Sequence, residues 1–163
     1  MKALFIGGIK SGKSRQAEAF ALGLAERPCY LATTECFDDE MSERIARHKT
    51  QRSDRFETLE APLDLVSSIQ TQQRPVLVEC TTMWLNNMLF HGRSEEQILE
   101  HIDVLLALPN DIVFVHNDVG SGIIPDNALA RRFADLSGVV AQRIAAECDE
   151  VYHCIAGLAT RIK

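Results

Sequence analysis

No stretch of the chain approaches the length of a membrane span, and its first residues lack the charged-then-apolar layout of a secretory signal. A cytoplasmic protein without a membrane span is therefore expected. C-x-x-C pairs are also missing, and the five cysteines (Cys29, Cys36, Cys80, Cys148, Cys154) are odd in number. That argues against a disulfide framework or a zinc site and favours reduced thiols serving as small buried hydrophobes. Basic residues are outnumbered, 17 Lys and Arg against 23 Asp and Glu, for a net charge of −6. Non-specific nucleic-acid binding is not expected of such a surface, although a local basic pocket is compatible with it. His91, His101, His116 and His153 show no metal-ligand spacing and read as structural or surface residues. Neither a repeat, a low-complexity tract nor a linker interrupts the 163 residues, so one domain over 1–163 with a sizeable core is expected.

What the chain does have is concentrated near its start. Gly7-Gly8-Ile9-Lys10-Ser11-Gly12-Lys13-Ser14 reads G-x-x-x-x-G-K-S, a loop that binds the phosphates of a nucleoside triphosphate. Gly7 and Gly12 permit a tight turn whose backbone N–H groups face phosphate oxygens. Lys13 brings a compact positive charge to the β- and γ-phosphates, and the Ser14 hydroxyl is a ligand suited to Mg²⁺. Ala3-Leu4-Phe5-Ile6 before the loop suits a buried strand, and Arg15 to Ala21 after it is helix-forming. The loop therefore ends at a helix N-terminus, where an anion is stabilised.

Strand-like and helix-like runs alternate over the rest of the chain. Strands are expected at Cys29–Thr33, Phe56–Glu60, Pro75–Cys80, Asp111–Val115 and, last, Val151–Ile155. Helices are expected from about Glu40 to Gln51 with Asp38 or Asp39 as cap, around Leu63, Val66 and Ile69, at Met83–Phe90, at Glu95–Ala107, and from Asp126 to Glu147 through Gly138. Continuous apolar strands joined by helices predict an α/β fold with a mostly parallel sheet covered on both faces. Ligands of such sheets bind at the carboxyl ends of the strands, where the phosphate loop lies.

Three further places carry chemistry. Glu79 ends an apolar strand, which suits a partner of the phosphate loop that holds Mg²⁺ or its water; an ordinary surface acid would read the same way. Between Arg44 and Arg55 stand five basic residues and one acid, a local excess fit for a second phosphate-facing surface. His48 lies within it, either packed at helical spacing from Met41 and Ile45 or acting as a nucleophile. Asn117 to Asn127 is a Gly-rich loop at a strand's carboxyl end, suited to substrate or subunit contact, or simply to a turn and a helix cap at Asp126. A small-molecule kinase with a structural His48 and a non-catalytic nucleotide-binding subunit both fit these features. A GTP-dependent switch fits less well, since no N-K-x-D guanine signature is present.

Taken together, these residues resemble the bifunctional adenosylcobinamide kinase / adenosylcobinamide-phosphate guanylyltransferases of cobalamin synthesis. Gly7 to Arg15 is similar to that family's opening G-G-x-R-S-G-K-S-R, with Lys10 in place of Arg. Ala32-Thr33-Thr34, Asp38-Asp39-Glu40-Met41 with Arg44-Ile45, His48 and Arg52, Glu79 to Asn87, and Asn117 to Asn127 resemble its later motifs nearly end to end. Asp118 and Asp126 stand where glutamates are usual, and Arg47 where some members have a second histidine. The resemblance implies a P-loop NTPase-type, RecA-like fold assembled as a homotrimer. It also implies two reactions: phosphorylation of adenosylcobinamide by ATP or GTP, and transfer of GMP from GTP onto the new phosphate. His48 matches the histidine that is guanylylated, and Lys13 serves catalysis. The nucleotide site implied comprises Gly7, Gly8, Ile9, Lys10, Ser11, Gly12, Lys13, Ser14, Ala32, Thr33, Thr34, Lys49, Thr50, Gln51, Arg52, Glu60 and Glu79, with Ser14 and Glu79 on Mg²⁺.

Overall fold

The structure is a computed structural model that describes residues 1–35 and 54–163. The polar helix expected over 40–51 lies outside the described residues, as do His48, Lys49, Thr50, Gln51 and Arg52. The elements, in chain order, are β1 (Lys2–Gly7), α1 (Lys13–Leu24), β2 (Cys29–Ala32), β3 (Glu57–Glu60), α2 (Leu65–Gln70), β4 (Val76–Glu79), α3 (Thr81–Phe90), α4 (Glu95–Ala107), β5 (Ile112–Asn117), α5 (Ala128–Glu147), β6 (Glu150–Ile155) and β7 (Leu158–Arg161). The seven strands form one sheet in the order β3-β2-β4-β5-β1-β6-β7, parallel throughout except for the β6–β7 pair.

The alternation of side chains along a strand explains the layering. In β1, Leu4 faces one core while Ala3 and Phe5 face the other; in β4, Val76 and Val78 oppose Leu77; in β5, Ile112 and Phe114 oppose Val113 and Val115. One face is covered by α2, α3, α4 and α5 through Leu65, Trp84, Ile98, Ile102, Val140 and Ile144, and the other by α1 through Ala17 and Ala21. Because both faces are covered, the central strands read as continuous apolar runs. Full burial of such side chains contributes about 1.5–3 kcal/mol each in transfer free energy, which concentrates stability in β1, β4 and β5, the strands that end at the phosphate loop, at Glu79 and at Asn117.

Three boundaries differ from expectation. The chain does not end its sheet at β6: β7 returns antiparallel after the two-residue turn Ala156-Gly157, whose φ angles of 51° and 85° match a tight hairpin of the primed kind. The long helix is capped by Asn127 rather than Asp126, since Asn127 Oδ1 accepts from the N–H groups of Leu129 at 2.8 Å and Ala130 at 3.1 Å. Helix α3 starts at Thr81, two residues early, because Cys80 Sγ accepts from the Met83 N–H at 3.4 Å.

Candidate active site

The first strand delivers Gly7 to the carboxyl edge of the sheet, between Asn117 of β5 and Cys154 of β6. A Cβ at Gly7 would lie 2.4 Å from the Cys154 carbonyl oxygen, so only glycine passes this point. The chain then turns through Gly8 to Gly12, with Lys10 in the left-handed region at φ 57° and Gly12 at φ 90°. Within the turn the Ser11 N–H donates to Gly8 O at 3.3 Å. Lys13 is buried, and its Nζ donates to the same Gly8 oxygen at 3.1 Å, so the ammonium folds back across the loop. Gly12 caps α1 without a side-chain bond. The first amides of a helix have no intrahelical acceptor, and with the helix dipole they form a site for anionic oxygens.

Across β5, the acid expected on a strand tip meets this loop. The Ser14 hydroxyl donates to Glu79 Oε1 at 2.8 Å although the residues are 65 positions apart. Both are hard oxygen donors at the foot of a phosphate loop, the set that Mg²⁺ takes together with phosphate oxygens and water. The two residues assigned to a metal from the sequence are thus in direct contact. The neighbouring strand ends complete the edge: Ala32 of β2 is in register with Glu79 on one side and with Glu60 of β3 on the other. Thr34 follows, half-buried, and Glu60 is exposed. Ile9 and Lys10 project outward from the loop, Ile9 being 88% exposed.

Thr33 has a different position from its neighbours. It is fully buried, and its hydroxyl accepts from the Cys80 N–H at 2.9 Å and lies within bonding distance of the carbonyls of Glu79 and Cys80. Its own carbonyl accepts from Asn87 Nδ2 at 2.7 Å, and that same amide donates to Pro62 O at 3.0 Å. Thr33 and Asn87 therefore tie the ends of β2, β3 and β4 together and hold Glu79 in place. Cys80, the next residue, has its thiol pushed up to about 11 by burial, with the Glu79 carboxylate adding to the effect. It remains a neutral thiol, as the cysteine pattern implies.

The loop after β5 meets the phosphate loop through its backbone, with the Asp118 N–H donating to Gly7 O at 3.0 Å. Asp118 also takes the hydroxyl of Ser121 and the N–H of Gly120, which closes a small turn. His116, two residues before Asp118 and still in β5, is buried between Thr81 and Ser137, consistent with its reading as a structural residue. Two residues not anticipated from the sequence also touch the loop: Gln16 and Gly157, joined by a 2.7 Å hydrogen bond. The one available signal was Gly157 itself, a glycine between two short apolar pairs, which marks a hairpin turn.

The parallel sheet, the loop at the tip of β1 and the acid at the tip of β4 define a P-loop NTPase-type, RecA-like α/β domain. The profile of the family described as cobinamide kinase / cobinamide phosphate guanyltransferase matches residues 3–162, and the chain belongs to that family of transferases. It is similar to the bifunctional adenosylcobalamin biosynthesis protein CobU of Salmonella typhimurium, 38% identical with all of both chains covered. It is 37% identical to the bifunctional adenosylcobalamin biosynthesis protein CobP of Pseudomonas aeruginosa, over 100% of this chain and 98% of that one, and 36% identical to CobU of Escherichia coli over the full length of both. Among solved structures, the KaiC-like protein PH0186 of Pyrococcus horikoshii overlaps 93% of this chain and 69% of its own at 13% identity and a TM-score of 0.47.

Proposed function

We propose that this chain carries out both reactions of its family in the cytoplasm: phosphorylation of adenosylcobinamide by ATP or GTP, then transfer of GMP from GTP to the phosphate, yielding adenosylcobinamide-GDP. The observation that carries the proposal is the Ser14–Glu79 contact at 2.8 Å, beside a buried Lys13 at the start of α1. The amides at the start of α1 bind and orient the triphosphate, and Lys13 moves from Gly8 O to the phosphate oxygens when nucleotide enters. Ser14 and Glu79 would hold Mg²⁺, which would supply charge to offset that of the triphosphate. For the first reaction, positioning and charge stabilisation suffice, since phosphoryl transfer to a hydroxyl needs no protein nucleophile.

In the second reaction His48 is the nucleophile. A neutral imidazole nitrogen attacks the α-phosphorus of GTP, a P–N bond forms, and the P–O bond to pyrophosphate breaks. An oxygen of the cobinamide phosphate then attacks the same phosphorus, the P–N bond breaks and the imidazole is restored. Lys49, Thr50, Gln51 and Arg52 together with Ala32, Thr34 and Glu60 contact the nucleotide in this step, while Thr33, assigned to the nucleotide from the sequence, is fully buried and instead holds the strand ends beneath it. The active form is a homotrimer; sedimentation equilibrium checks this, and a monomer at micromolar concentration contradicts it.

Purified protein incubated with adenosylcobinamide, ATP, GTP and Mg²⁺, with products identified by mass spectrometry, tests both activities together. Adenosylcobinamide phosphate followed by adenosylcobinamide-GDP is expected. Formation of neither product overturns the proposal.

A further inference from the structure

We propose that the β6–β7 turn is a strut for the phosphate loop, and that Gly157 and Gln16 are positioning residues for nucleotide binding; this rests on the reading of the loop as the nucleotide site. The Gly157 N–H donates to Ser11 O at 2.8 Å. On the other side of the same residue, Gly157 O accepts from Gln16 Nε2 at 2.7 Å and from Arg15 Nη2 at 3.3 Å. One residue of the hairpin is therefore bonded both to the loop and to the first turn of the helix that the loop starts. The two backbones are as close as they can be: a Cβ at Gly12 would lie 2.7 Å from the Gly157 Cα.

The strut has a specific task. The Ser11–Gly12 peptide is planar and trans, so its carbonyl and its N–H point in opposite directions. Gripping the Ser11 oxygen from the hairpin side turns the Gly12 N–H away from the hairpin and prevents the peptide from flipping. Glycine makes such a flip cheap, because Gly12 can exchange positive for negative φ with little steric cost. The same freedom that lets the loop turn sharply also lets its amides lose their aim, and no bond inside the loop holds the Ser11 oxygen. Holding the amides in advance lowers the ordering cost that nucleotide binding must otherwise meet. The turn itself is held by the pairing of Ile155 with Leu158, with Ala156 and Gly157 both at positive φ. Within 4 Å, a Cβ at Gly157 would meet only the end of the exposed Arg15 side chain, at 3.2 Å, so Gly157→Ala acts by disfavouring φ 85° rather than by a backbone collision.

The test is titration of a fluorescent GTP analogue into the full-length wild type and into Gly157→Ala, Gln16→Ala, Leu158→Ala and Lys13→Ala. Urea unfolding midpoints and nucleotide and corrinoid KM values are measured alongside. Gly157→Ala and Gln16→Ala should each raise the dissociation constant and the nucleotide KM about tenfold, through lost pre-organisation, with the corrinoid KM unchanged. Leu158, on the same hairpin with an exposed side chain, should leave nucleotide binding unchanged when cut to alanine. If Gly157→Ala fails to fold, Gln16→Ala carries the test alone, since it removes one half-buried side chain on a helix surface. Wild-type affinity in Gly157→Ala and Gln16→Ala, with Lys13→Ala binding lost, overturns the strut while leaving the nucleotide site standing. So does a lower urea midpoint at unchanged affinity. Wild-type binding by Lys13→Ala removes the nucleotide site and the strut together.

Discussion

Lowering the pH should destabilise the fold through His116, and the structure sets the size of the effect. The Thr81 hydroxyl has one hydrogen, which it donates to Val115 O at 3.0 Å. That hydroxyl also lies 2.8 Å from His116 Nδ1, and the Ser137 hydroxyl lies 2.9 Å from Nε2, so each ring nitrogen has a hydroxyl partner. The imidazole is satisfied at both nitrogens, and its burial favours the neutral form. Burial pulls its pKa from 6.5 down to about 4, against opposing pulls from Asp118 and from a hydrogen bond with the Ser137 backbone, and with Lys13 acting in the same direction as burial. The folded state binds the proton less readily than the unfolded chain. The stability from this group is therefore fully present above the unfolded value and is lost as pH falls from there toward the folded value. Between about pH 7.5 and pH 4.5 the loss amounts to roughly 2–3 kcal/mol. Urea unfolding of wild type and His116→Gln across that range isolates it, since other groups titrate alike in both proteins. The stability advantage of the wild type should shrink by about that amount on acidification. A difference that stays flat with pH refutes the neutral, buried assignment.

Two substitutions address the nucleotide site. Lys13→Ala should lower both kinase and guanylyl-transfer rates roughly 10²–10³-fold, the cost of losing one charged contact in a preorganised site, while circular dichroism shows an unchanged fold; near-normal kinase activity would contradict the role of Lys13. Glu79→Gln keeps the shape of the Ser14 contact but removes a charge, so activity should require more Mg²⁺, and an unchanged Mg²⁺ titration would count against the metal assignment.

The parts of the site that depend on local chemistry were legible in the residues themselves. The loop Gly7 to Ser14 must be continuous in sequence, because successive amides have to face one ligand, and its flanking strand and helix follow from pattern. Strands β1, β4 and β5 were legible for a related reason: burial on both faces leaves them no polar alternation. Strand β7 was not, because three of its four side chains are exposed and the strand is held by backbone pairing and a turn rather than by apolar surface. Nor could the residues alone reveal that β5 separates the loop from Glu79, since strand order is set by long-range packing. Thr33 illustrates a subtler limit. Its place in a motif near nucleotide-binding strand ends was readable, but the partners of its hydroxyl, Glu79 and Cys80, lie 46 and 47 positions away. The strut at Gly157 was hidden for the same reason: its contacts to Ser11 and Gln16 join opposite ends of the chain.

On the proposed mechanism the guanylyl step needs a protein nucleophile, His48, and the kinase step does not. Peptide mapping after incubation with α-labelled GTP and Mg²⁺ tests it most directly, in wild type and in His48→Ala. The label should sit on His48 as an acid-labile, base-stable adduct, and His48→Ala should lose both adduct and guanylyl transfer while still phosphorylating adenosylcobinamide. Label on any other residue, or guanylyl transfer by an enzyme that takes up no label, would contradict the account.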